Sequence, residues 1–547
     1  IGADTSGNNN HYKDYNLDSY DSNFPDSPEN NFCTMNPLDG NGPTISEGNL
    51  KVYGDTSFAV FEGFKGNFAI SSGKWYWEMN AVDVNNLMQV GITPTTATAV
   101  GSSTNLSYHT DAMIYQNTGT KRKGAGGLTV SPSSASNESY GNSYTDGDII
   151  GVALDLDSSP TTLTFYKNGS SEGTAFSSLA SDEYLPLFTG IENSFGIFNF
   201  GQDATFAGTK TSGSEDASDA TGRGIFYDTP PSGHLALCSA NLQNVEIGPN
   251  SSTQADDHFD TDIYDGSASN QTRTLNFQAD WMWFKERTTD GINHELFDSS
   301  RLHSTSNAKF GEKLVIGGLT SVAADSTAIV SQSTNDITLL GGVSTVNDQY
   351  SRRYVNWHWK ANGGTTSSNT NGSITSTVQA NTTAGFSIVL YTGNNGSSGT
   401  VGHGLKSAPE WVLVFGRNVS NSQMLGVTPI GFTHYASFQT TSGYFVADAT
   451  IWNDTAPTST VFTVGGAANV NDAYNYVAYC FHSVDGYSKI GTYTGNGNTG
   501  SNGPFVNLGF RPAWLFVKRT NNTGGAIIWD NKRSTSNPTD DYLVPQL

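Results

Sequence analysis

One stretch of alternating residues, 73–79, most restricts what this chain can fold into. Its sequence, Gly-Lys-Trp-Tyr-Trp-Glu-Met, places large apolar side chains at every second position, which is the period of a β-strand with one buried face. One set is expected to enter a core: Trp75, Trp77 and Met79. The other set is expected to face water: Lys74, Tyr76 and Glu78.

Further strands of the same kind follow. Segments 89–93 and 146–155 are apolar enough for buried strands, and 163–169 alternates again before ending in Asn168-Gly169, a pair that favours a tight turn. In this order the motifs GKWYWE, DGDIIGVALD and LTFYKNG resemble the SPRY domain, the core of the B30.2 module. The resemblance implies a β-sandwich that binds partners through its loops and performs no chemistry. An unrelated β-sandwich with similar turns is the alternative.

Composition indicates an all-β chain. The 547 residues include 60 glycines, and 12% are aromatic while only 14% are charged. No run approaches the roughly 20 apolar residues of a membrane span, so we predict no membrane insertion. Because the chain begins at Ile1 rather than Met, we expect that any upstream targeting segment lies outside this sequence.

The formal charge of −23 arises from 27 basic and 50 acidic residues. An acidic surface repels nucleic acid phosphates, so we expect no nucleic acid partner. Two interpretations of the acidity stay open: a particle surface that remains soluble in a salty medium, and ordinary solvation.

The three cysteines are too few and too scattered for a disulfide framework. Two of them mark a joint that is used twice, since Asp-Ser-Pro precedes Phe32-Cys33 and Asp-Thr-Pro precedes Leu237-Cys238. We expect each joint to stand at the entrance to a domain, where proline stiffens the chain. Two buried thiols are expected there, with a disulfide as the alternative.

The C-terminal half repeats a strand that begins with tryptophan. The three copies are 279–285, 409–415 and 512–518. In the outer two copies a Phe-Asp or Trp-Asp pair precedes an arginine, at Asp298 and Arg301 and again at Asp530 and Arg533. Segment 385–394 recurs at 486–496, and 354–359 is echoed by 476–481. These repeats predict duplicated sandwich units, and the apolar runs 412–415 and 515–517 are expected as central strands covered on both faces.

The arrangement as a whole resembles the large tail-fibre-like virion proteins of marine bacteriophages. It implies a non-enzymatic virion protein on the particle surface that takes part in host attachment. The implied partners are other virion proteins and a host cell-surface glycan or protein, and the implied assembly is a homo-oligomer, a trimer. The alternatives are a secreted bacterial adhesin or glycan-binding protein, marked by an upstream signal peptide, and a glycan depolymerase, which needs paired carboxylates.

The fold class that follows is all-β, with a SPRY-like β-sandwich followed by internally duplicated β-sandwich units. The expected divisions are an upstream lectin-like domain end or linker (1–30), the SPRY-like sandwich (31–208), a linker and joint (209–245), a unit with the first Trp-led strand (246–380) and duplicated units with the other two (381–547).

The sequence shows no catalytic motif. His294-Glu295 lacks the second histidine of a zinc protease helix, and no nucleophile elbow occurs. His358 is expected to face away from its two tryptophan neighbours. No cofactor is predicted, although five aspartates before Gly266 could supply oxygen ligands for calcium, with a solvated acidic loop as the alternative. They are Asp256, Asp257, Asp260, Asp262 and Asp265.

One basic cluster stands out from the acidic background, in segment 108–127. Cations interleaved with aromatic residues suit anionic sugars or acidic peptides. The alternative is that the charges only solubilise a hairpin. We predict six partner-binding residues: Tyr108, His109, Tyr115, Lys121, Arg122 and Lys123.

Overall fold

The structure is a computed structural model that describes most of the chain in two compact units. One unit comprises residues 1–243 and 493–509, and the other comprises 244–492 and 510–547. No helix in the described part is long and apolar enough to cross a membrane. The described residues are 30–38, 45–54, 62–95, 99–100, 108–109, 111–123, 137–180, 182–210, 217–242, 245–248, 251–289, 291–301, 312–316, 328–437, 444–495, 497, 503–537 and 539–545.

The first unit is built from strands. They are β1 (Ile45–Ser46), β2 (Lys51–Tyr53), β3 (Glu62–Lys65), β4 (Lys74–Asp83), β5 (Met88–Pro94), β6 (Ala99–Val100), β7 (Tyr108–His109), β8 (Met113–Gln116), β9 (Thr120–Lys123), β10 (Glu138–Ser139), β11 (Ile149–Asp155), β12 (Thr162–Lys167), β13 (Ser170–Ser177), β14 (Tyr184–Gly190), β15 (Phe195–Asn199), β16 (Ala217–Ser218), β17 (Ile225–Phe226) and β18 (Leu235–Ala236).

Two large sheets form a sandwich. The first has the order β1-β2-β15-β4-β11-β12-β13, with β18 added in parallel to β4, and the second has the order β10-β9-β8-β5-β14-β3. Trp77 and Met79 of β4 share one core with Val90 of β5 and Phe188 of β14. The predicted inward set is confirmed, because Trp75 is 3% exposed and the other two are fully buried.

The outward set of β4 does not face water as expected. Tyr76 is 1% and Glu78 is 0% exposed, because a segment that was expected to be a linker covers this face. Phe226, Ala236 and Cys238 from that segment pack around Tyr76. Residues 217–242 therefore form an outer layer of the sandwich and belong to the first unit.

The two cysteine joints pair with each other. Phe32 and Cys238 form an antiparallel bridge, and the Cys33 N–H donates to the Leu237 carbonyl at 2.9 Å. The thiols of Cys33 and Cys238 are free and buried, as is that of Cys480. The alternative of a disulfide between the two joints is therefore wrong. Burial raises the pKa of Cys33 to about 12, which keeps its thiol protonated.

The second unit is also built from strands, apart from one short 3-10 helix at Ala255–Asp257 and α1 (Ala449–Trp452). The strands are β19 (Phe259–Asp265), β20 (Gln271–Thr274), β21 (Trp281–Glu286), β22 (His294–Asp298), β23 (Leu314–Ile316), β24 (Ile329–Gln332), β25 (Asp336–Leu339), β26 (Arg353–Trp359), β27 (Ser367–Asn369), β28 (Ser376–Asn381), β29 (Phe386–Thr392), β30 (Gly399–Gly402), β31 (Trp411–Gly416), β32 (Met424–Val427), β33 (His434–Ser437), β34 (Val446–Ala447), β35 (Val461–Val464), β36 (Asn475–Phe481), β37 (Trp514–Val517) and β38 (Ile527–Asp530).

The sequence repeats correspond to repeated sheets. The order β19-β26-β21-β22-β23 in one sheet is matched by β29-β36-β31-β32-β33 within another. Each Trp-led strand, β21 or β31, lies beside the aromatic strand that was seen as a second repeat, β26 or β36. A third, smaller sheet pairs β37 with β38. The predicted all-β fold with internal duplication is confirmed.

All three Trp-led sheets contribute to one core. Trp283 and Trp357 of the first sheet share it with Leu413 and Tyr479 of the second and Ile528 of the third. The boundary expected near residue 380 therefore runs through a shared core. His358, also fully buried, lies outside this core beside Phe277, so it faces away from its tryptophan neighbours as predicted.

The two complete sheets are also covered on their outer faces. Met282 of β21 packs with Ile337 and Leu339 of β25, and Val412 of β31 packs with Phe462 and Val464 of β35. Segment 412–415 is thus buried on both faces, as predicted. The same prediction is wrong for 515–517, where Leu515 is 40% exposed.

Candidate functional site

Loops of both sheets of the first unit meet at one end of the sandwich, which we call the Lys74 end. It comprises the described parts of 66–73, 95–112, 156–161 and 178–183, together with Lys123, which pairs with Met113. Lys74 at the start of β4 pairs with Asp155 at the end of β11. Pro94 at the end of β5 pairs with Tyr184, and Tyr184 also bridges Ile70 in the loop before β4. This bridge brings the ends of the two sheets together.

Asp155 organises the loop between β11 and β12. Its carboxylate accepts hydrogen bonds from the Ser158 hydroxyl at 2.7 Å and from the backbone N–H groups of Asp157 and Ser158, and it lies 2.8 Å from the Lys74 ammonium. Burial alone would raise the pKa of Asp155, but the hydrogen bonds from Lys74 and Ser158 outweigh it and lower the pKa to about 2. The loop is therefore held in one conformation by a carboxylate that stays charged.

A second contact fixes the neighbouring loop. The Gly73 N–H donates to Asp157 at 2.7 Å, and the Trp75 indole N–H donates to the Ser72 carbonyl at 2.7 Å. Gly73 has φ +94, and a Cβ there would lie 2.7 Å from the indole nitrogen of Trp75, so only glycine fits. Two loops from different strands are locked together at this end.

Exposed side chains cover these fixed loops. Asp157, Ser159 and Pro160 of one loop and Ala180 of another are open to solvent. An end built this way presents polar and small groups on a preformed backbone. It offers a surface for recognition, with low entropy cost on binding.

The structure places part of the predicted site at this end. Tyr108 and His109 form β7, which pairs with β6 between β5 and β8. Their side chains lie outside the described residues. Lys123, at the last position of β9, is exposed beside the start of β8.

Tyr115 is a wrong prediction as a partner-binding residue. Its side chain is 0% exposed, and its ring lies 5.3 Å from the rings of Tyr140, Tyr144 and Phe165. Its hydroxyl donates to the Asn142 carbonyl. Tyr115 is therefore a core residue that cannot stack on a partner.

The three cations do not form one patch, because successive residues of a strand point to opposite faces. Lys121 lies opposite Tyr115, while Arg122 lies opposite Ile114. The Lys121 ammonium donates to the Ala175 carbonyl at 2.7 Å, lies 3.4 Å from Glu138 and lies over the Phe176 ring at 5.4 Å. Lys121 is thus a structural residue.

A pocket of about 570 Å³ in the second unit has a hydroxyl beside a histidine, which resembles a nucleophile and base. Thr253 Oγ1 lies 2.9 Å from His258 Nε2 and 2.9 Å from Asp257. The side-chain oxygen of Asn381 accepts a hydrogen bond from the Ala384 N–H, which fixes the orientation of the amide. The amide nitrogen of Asn381 therefore faces His258 Nδ1, at 2.9 Å. Nδ1 must then accept a hydrogen bond, and Nε2 carries the proton. In this tautomer His258 cannot take the proton of Thr253.

The five aspartates considered for calcium do not converge. Asp262 forms an ion pair with Arg273 at 2.6 Å, and Asp260 accepts from Asn276 at 2.9 Å. Asp260, Asp262 and Asp265 lie on β19, whereas Asp256 and Asp257 lie in the 3-10 helix before it. Within the described residues no three His, Cys, Asp or Glu side chains are placed to hold a metal ion.

Comparison with known proteins agrees with the architecture of the first unit. Residues 74–203 match the family model of the SPRY domain, so the first unit contains a SPRY domain. SPRY domains are protein–protein interaction modules and are generally non-catalytic, which fits a binding role. The chain belongs to the family described as Domain of unknown function (DUF7483), whose model matches residues 254–547. No curated protein matches the chain.

Three solved structures are similar to part of the chain. The SPRY domain of human HERC1 is 19% identical with a TM-score of 0.23, covering 30% of this chain and 96% of that one. A human SPRY domain is 16% identical with a TM-score of 0.18, covering 25% and 89%. The TRIM65 PSpry domain is 15% identical with a TM-score of 0.23, covering 31% and 90%.

Sequence reasoning missed the Asp155 network. The signal was present, since Asp155 and Asp157 flank the end of an apolar strand and Ser-Ser-Pro follows. Aspartate followed by serine is typical of turns in which the side chain accepts backbone N–H groups.

Proposed function

We propose that this protein is a non-enzymatic binding protein that holds a partner on the Lys74 end of its SPRY sandwich. The observation that carries the proposal is the pair of loops locked by Asp155 and Asp157 beneath exposed side chains. A rigid surface of this kind costs little entropy to bind, and binding residues are commonly carried on loops that a scaffold positions.

We further propose that the protein is a virion surface component, a tail fibre or similar appendage, that attaches the particle to a host glycan or protein. The support is the resemblance of the domain order to tail-fibre-like virion proteins. The second unit would act as scaffold, and a homo-oligomer, a trimer, would form the appendage. A native mass of the isolated particle component equal to one chain would contradict the oligomer.

The binding site can be tested with two matched variants of the full chain. Ser159→Arg places a large cation on the Lys74 end, and Ser143→Arg places the same side chain on an exposed loop at the opposite end of the sandwich. Attachment of labelled protein to host cells is the measurement. We expect Ser159→Arg to weaken attachment by about tenfold, as for a steric block in an interface, and Ser143→Arg to leave it unchanged.

Equal attachment by both variants and the wild type would remove the Lys74 end as the binding site. Genomic neighbours test the biological setting separately. Capsid and tail genes beside this one are expected, whereas a secretion operon would favour an adhesin.

A further inference from the structure

One arginine recurs at the same place in two Trp-led sheets. Arg287 directly follows β21, and Arg417 directly follows β31. The backbone N–H of each donates a hydrogen bond of 2.7 Å to the central strand beside it, which is β26 or β36. Arg287 donates to the Arg353 carbonyl, and Arg417 donates to the Asn475 carbonyl. The surroundings of the two arginine side chains can therefore be compared position by position.

In the second sheet this arginine is held by a carboxylate of the first sheet. Arg417 donates from Nε and Nη2 to the two carboxylate oxygens of Glu312, at 2.9 and 3.0 Å. Glu312 stands two residues before Leu314, the first residue of β23. Two parallel hydrogen bonds are the geometry in which a guanidinium and a carboxylate match best. A carboxylate thus satisfies the half-buried arginine at this position.

Beside the first sheet the corresponding carboxylate does not reach its arginine. Asp541 stands two residues before Leu543, which bridges to β38 as Leu314 pairs with β22. Asp541 therefore occupies the position of Glu312, but its side chain is one methylene shorter and is exposed. Arg287 is half-buried and forms no ion pair with the residues that the structure describes.

A second arginine lies opposite Arg287 across the sheet. The pair of Arg287 and Arg353 continues the register in which β21 and β26 are joined, and directly opposite residues project to the same face. Like charges in such positions destabilise a sheet. The Arg353 side chain is 67% exposed, and the Asp265 side chain, 4.0 Å away, is 73% exposed. An ion pair so open to solvent contributes little, so Arg353 remains available to an added anion.

The buried charges nearby do not compensate Arg287. Arg533 of the third sheet is 2% exposed and is already satisfied, since its Nε pairs with Asp530 and its Nη2 donates to the Ile528 carbonyl at 3.2 Å. Burial lowers the pKa of Arg287, and the charge of Arg533 acts in the same direction. Asp530 and Asp541 oppose this shift without cancelling it. An additional anion beside Arg287 would therefore be stabilising.

An exposed aromatic side chain stands three residues before Arg353. Tyr350 is 77% exposed and lies in the turn that precedes β26. The Arg352 N–H closes this turn by donating to the Gln349 carbonyl at 3.0 Å. A tyrosine ring that is open to solvent offers a broad apolar face with a polar end. Such a face beside two arginines suits a ligand that combines a ring with a carboxylate.

We propose that Arg287 and Arg353 together bind the carboxylate of an acidic sugar, and that Tyr350 packs against the sugar ring. The ligand carboxylate takes the role that Glu312 has for Arg417. This site lies wholly in the second unit, so it does not depend on the Lys74 end as a binding surface.

Binding of D-glucuronate to the full-length protein is the test, with D-glucose as a neutral control of the same ring. Isothermal titration calorimetry at constant ionic strength should show saturable binding of glucuronate in roughly the millimolar range, and binding of glucose at least about tenfold weaker. Arg287→Gln and Arg353→Gln should each weaken glucuronate binding by about tenfold, because each removes charge-assisted hydrogen bonds. Tyr350→Ala should weaken it by about fivefold through loss of the ring contact.

Melting temperatures separate this role from a structural one. Arg417→Gln is the matched control: it should lower the melting temperature by about 2 °C or more, because Glu312 loses its partner, and should leave glucuronate binding unchanged. Arg287→Gln should not lower the melting temperature, since it relieves the opposition of Arg353. Asp541→Glu restores the longer acid, so it should raise the melting temperature and weaken glucuronate binding by about tenfold.

No saturable binding of glucuronate, equal binding of glucose, or glucuronate binding that is unchanged by Arg287→Gln would overturn the proposal. So would a melting temperature that falls as far for Arg287→Gln as for Arg417→Gln, because a partner within the protein would then hold the Arg287 guanidinium.

Discussion

The Tyr479 hydroxyl donates a hydrogen bond of 2.6 Å to Oδ2 of Asp298, joining the central strand of one Trp-led sheet to the next sheet. Asp298 also accepts from Arg301 Nε at 2.6 Å, and both side chains of this ion pair are completely buried. An equivalent contact joins the first sheet to the third. The Trp357 indole N–H donates to Asp530 at 3.0 Å, and Asp530 forms an ion pair with Arg533. The shared Asp and Arg of the outer copies thus bind a neighbouring central strand.

The middle copy is the exception. In the first and third sheets, the residue opposite the leading tryptophan is an aspartate: Asp298 pairs with Trp281, and Asp530 pairs with Trp514. In the second sheet, the residue that pairs with Trp411 is Val427. The second sheet therefore has no aspartate at this position to bind a neighbouring central strand. Its neighbour is the third sheet, in which the described residues show no central strand. The variation in sequence therefore follows the variation in neighbours.

We predict that Asp298→Ala lowers the free energy of unfolding of the second unit by about 3–5 kcal/mol. Removing the carboxylate leaves the guanidinium of Arg301 buried without its partner. Urea unfolding followed by tryptophan fluorescence measures this, since eight of the ten tryptophans lie in residues 281–529. Lys406→Ala is the control, because its ion pair with Glu246 is exposed and should contribute about 1 kcal/mol or less.

Val427→Asp tests the exception directly. Val427 is 8% exposed, and a carboxylate there would be buried beside the shared core without an arginine. We expect a loss of about 3 kcal/mol or more in the free energy of unfolding, and a smaller loss for Val427→Ala. If aspartate were tolerated as well as alanine in the same urea titration, a polar partner would have to exist at this position.

Sequence reasoning succeeded where a property depends on local spacing and failed where it depends on a distant segment. The inward face of β4 follows from the two-residue period, so Trp77 was placed correctly. The outer face of the same strand is covered by Phe226 and Ala236, which lie in a segment that reads as a linker. The basic cluster shows the same limit, since Lys121 and Arg122 separate only once their segment is known to be a strand.

Because both faces of β4 are covered, Tyr76→Ala should cost about as much as Trp77→Ala. Each change removes a buried aromatic ring, for which a loss of about 3–5 kcal/mol is typical. Leu38→Ala is the control, as Leu38 is 72% exposed and should change stability by about 0.5 kcal/mol or less. Calorimetry of the full chain gives the comparison, and a mild effect of Tyr76→Ala would mean that 217–242 does not cover it in solution.

Glu78 should make the attachment of 217–242 depend on pH. Burial raises the pKa of Glu78 to about 8, although the Asp228 and Tyr227 N–H groups lower it. The folded pKa lies above the ordinary 4.5, so the stabilising protonated form is fully present below about pH 4.5 and is lost as the pH rises through about 8. Hydrogen exchange of 225–238, corrected for intrinsic rates, should show more frequent opening at pH 9 than at pH 5. Opening that is independent of pH would show that Glu78 stays ionised throughout.

Lys121 and Lys123 should separate stability from binding. Lys121→Ala removes a hydrogen bond to Ala175 and the contact with the Phe176 ring, so the melting temperature should fall by an amount equivalent to about 1 kcal/mol. Lys123→Ala changes an exposed side chain at the Lys74 end and should leave the melting temperature within about 1 °C of the wild type.

If the partner binds at that end, Lys123→Ala should weaken host-cell attachment, and the effect should shrink as salt rises. Weaker attachment by Lys121→Ala at a temperature where it is fully folded, with Lys123→Ala unaffected, would place the binding surface along β9 and away from the Lys74 end.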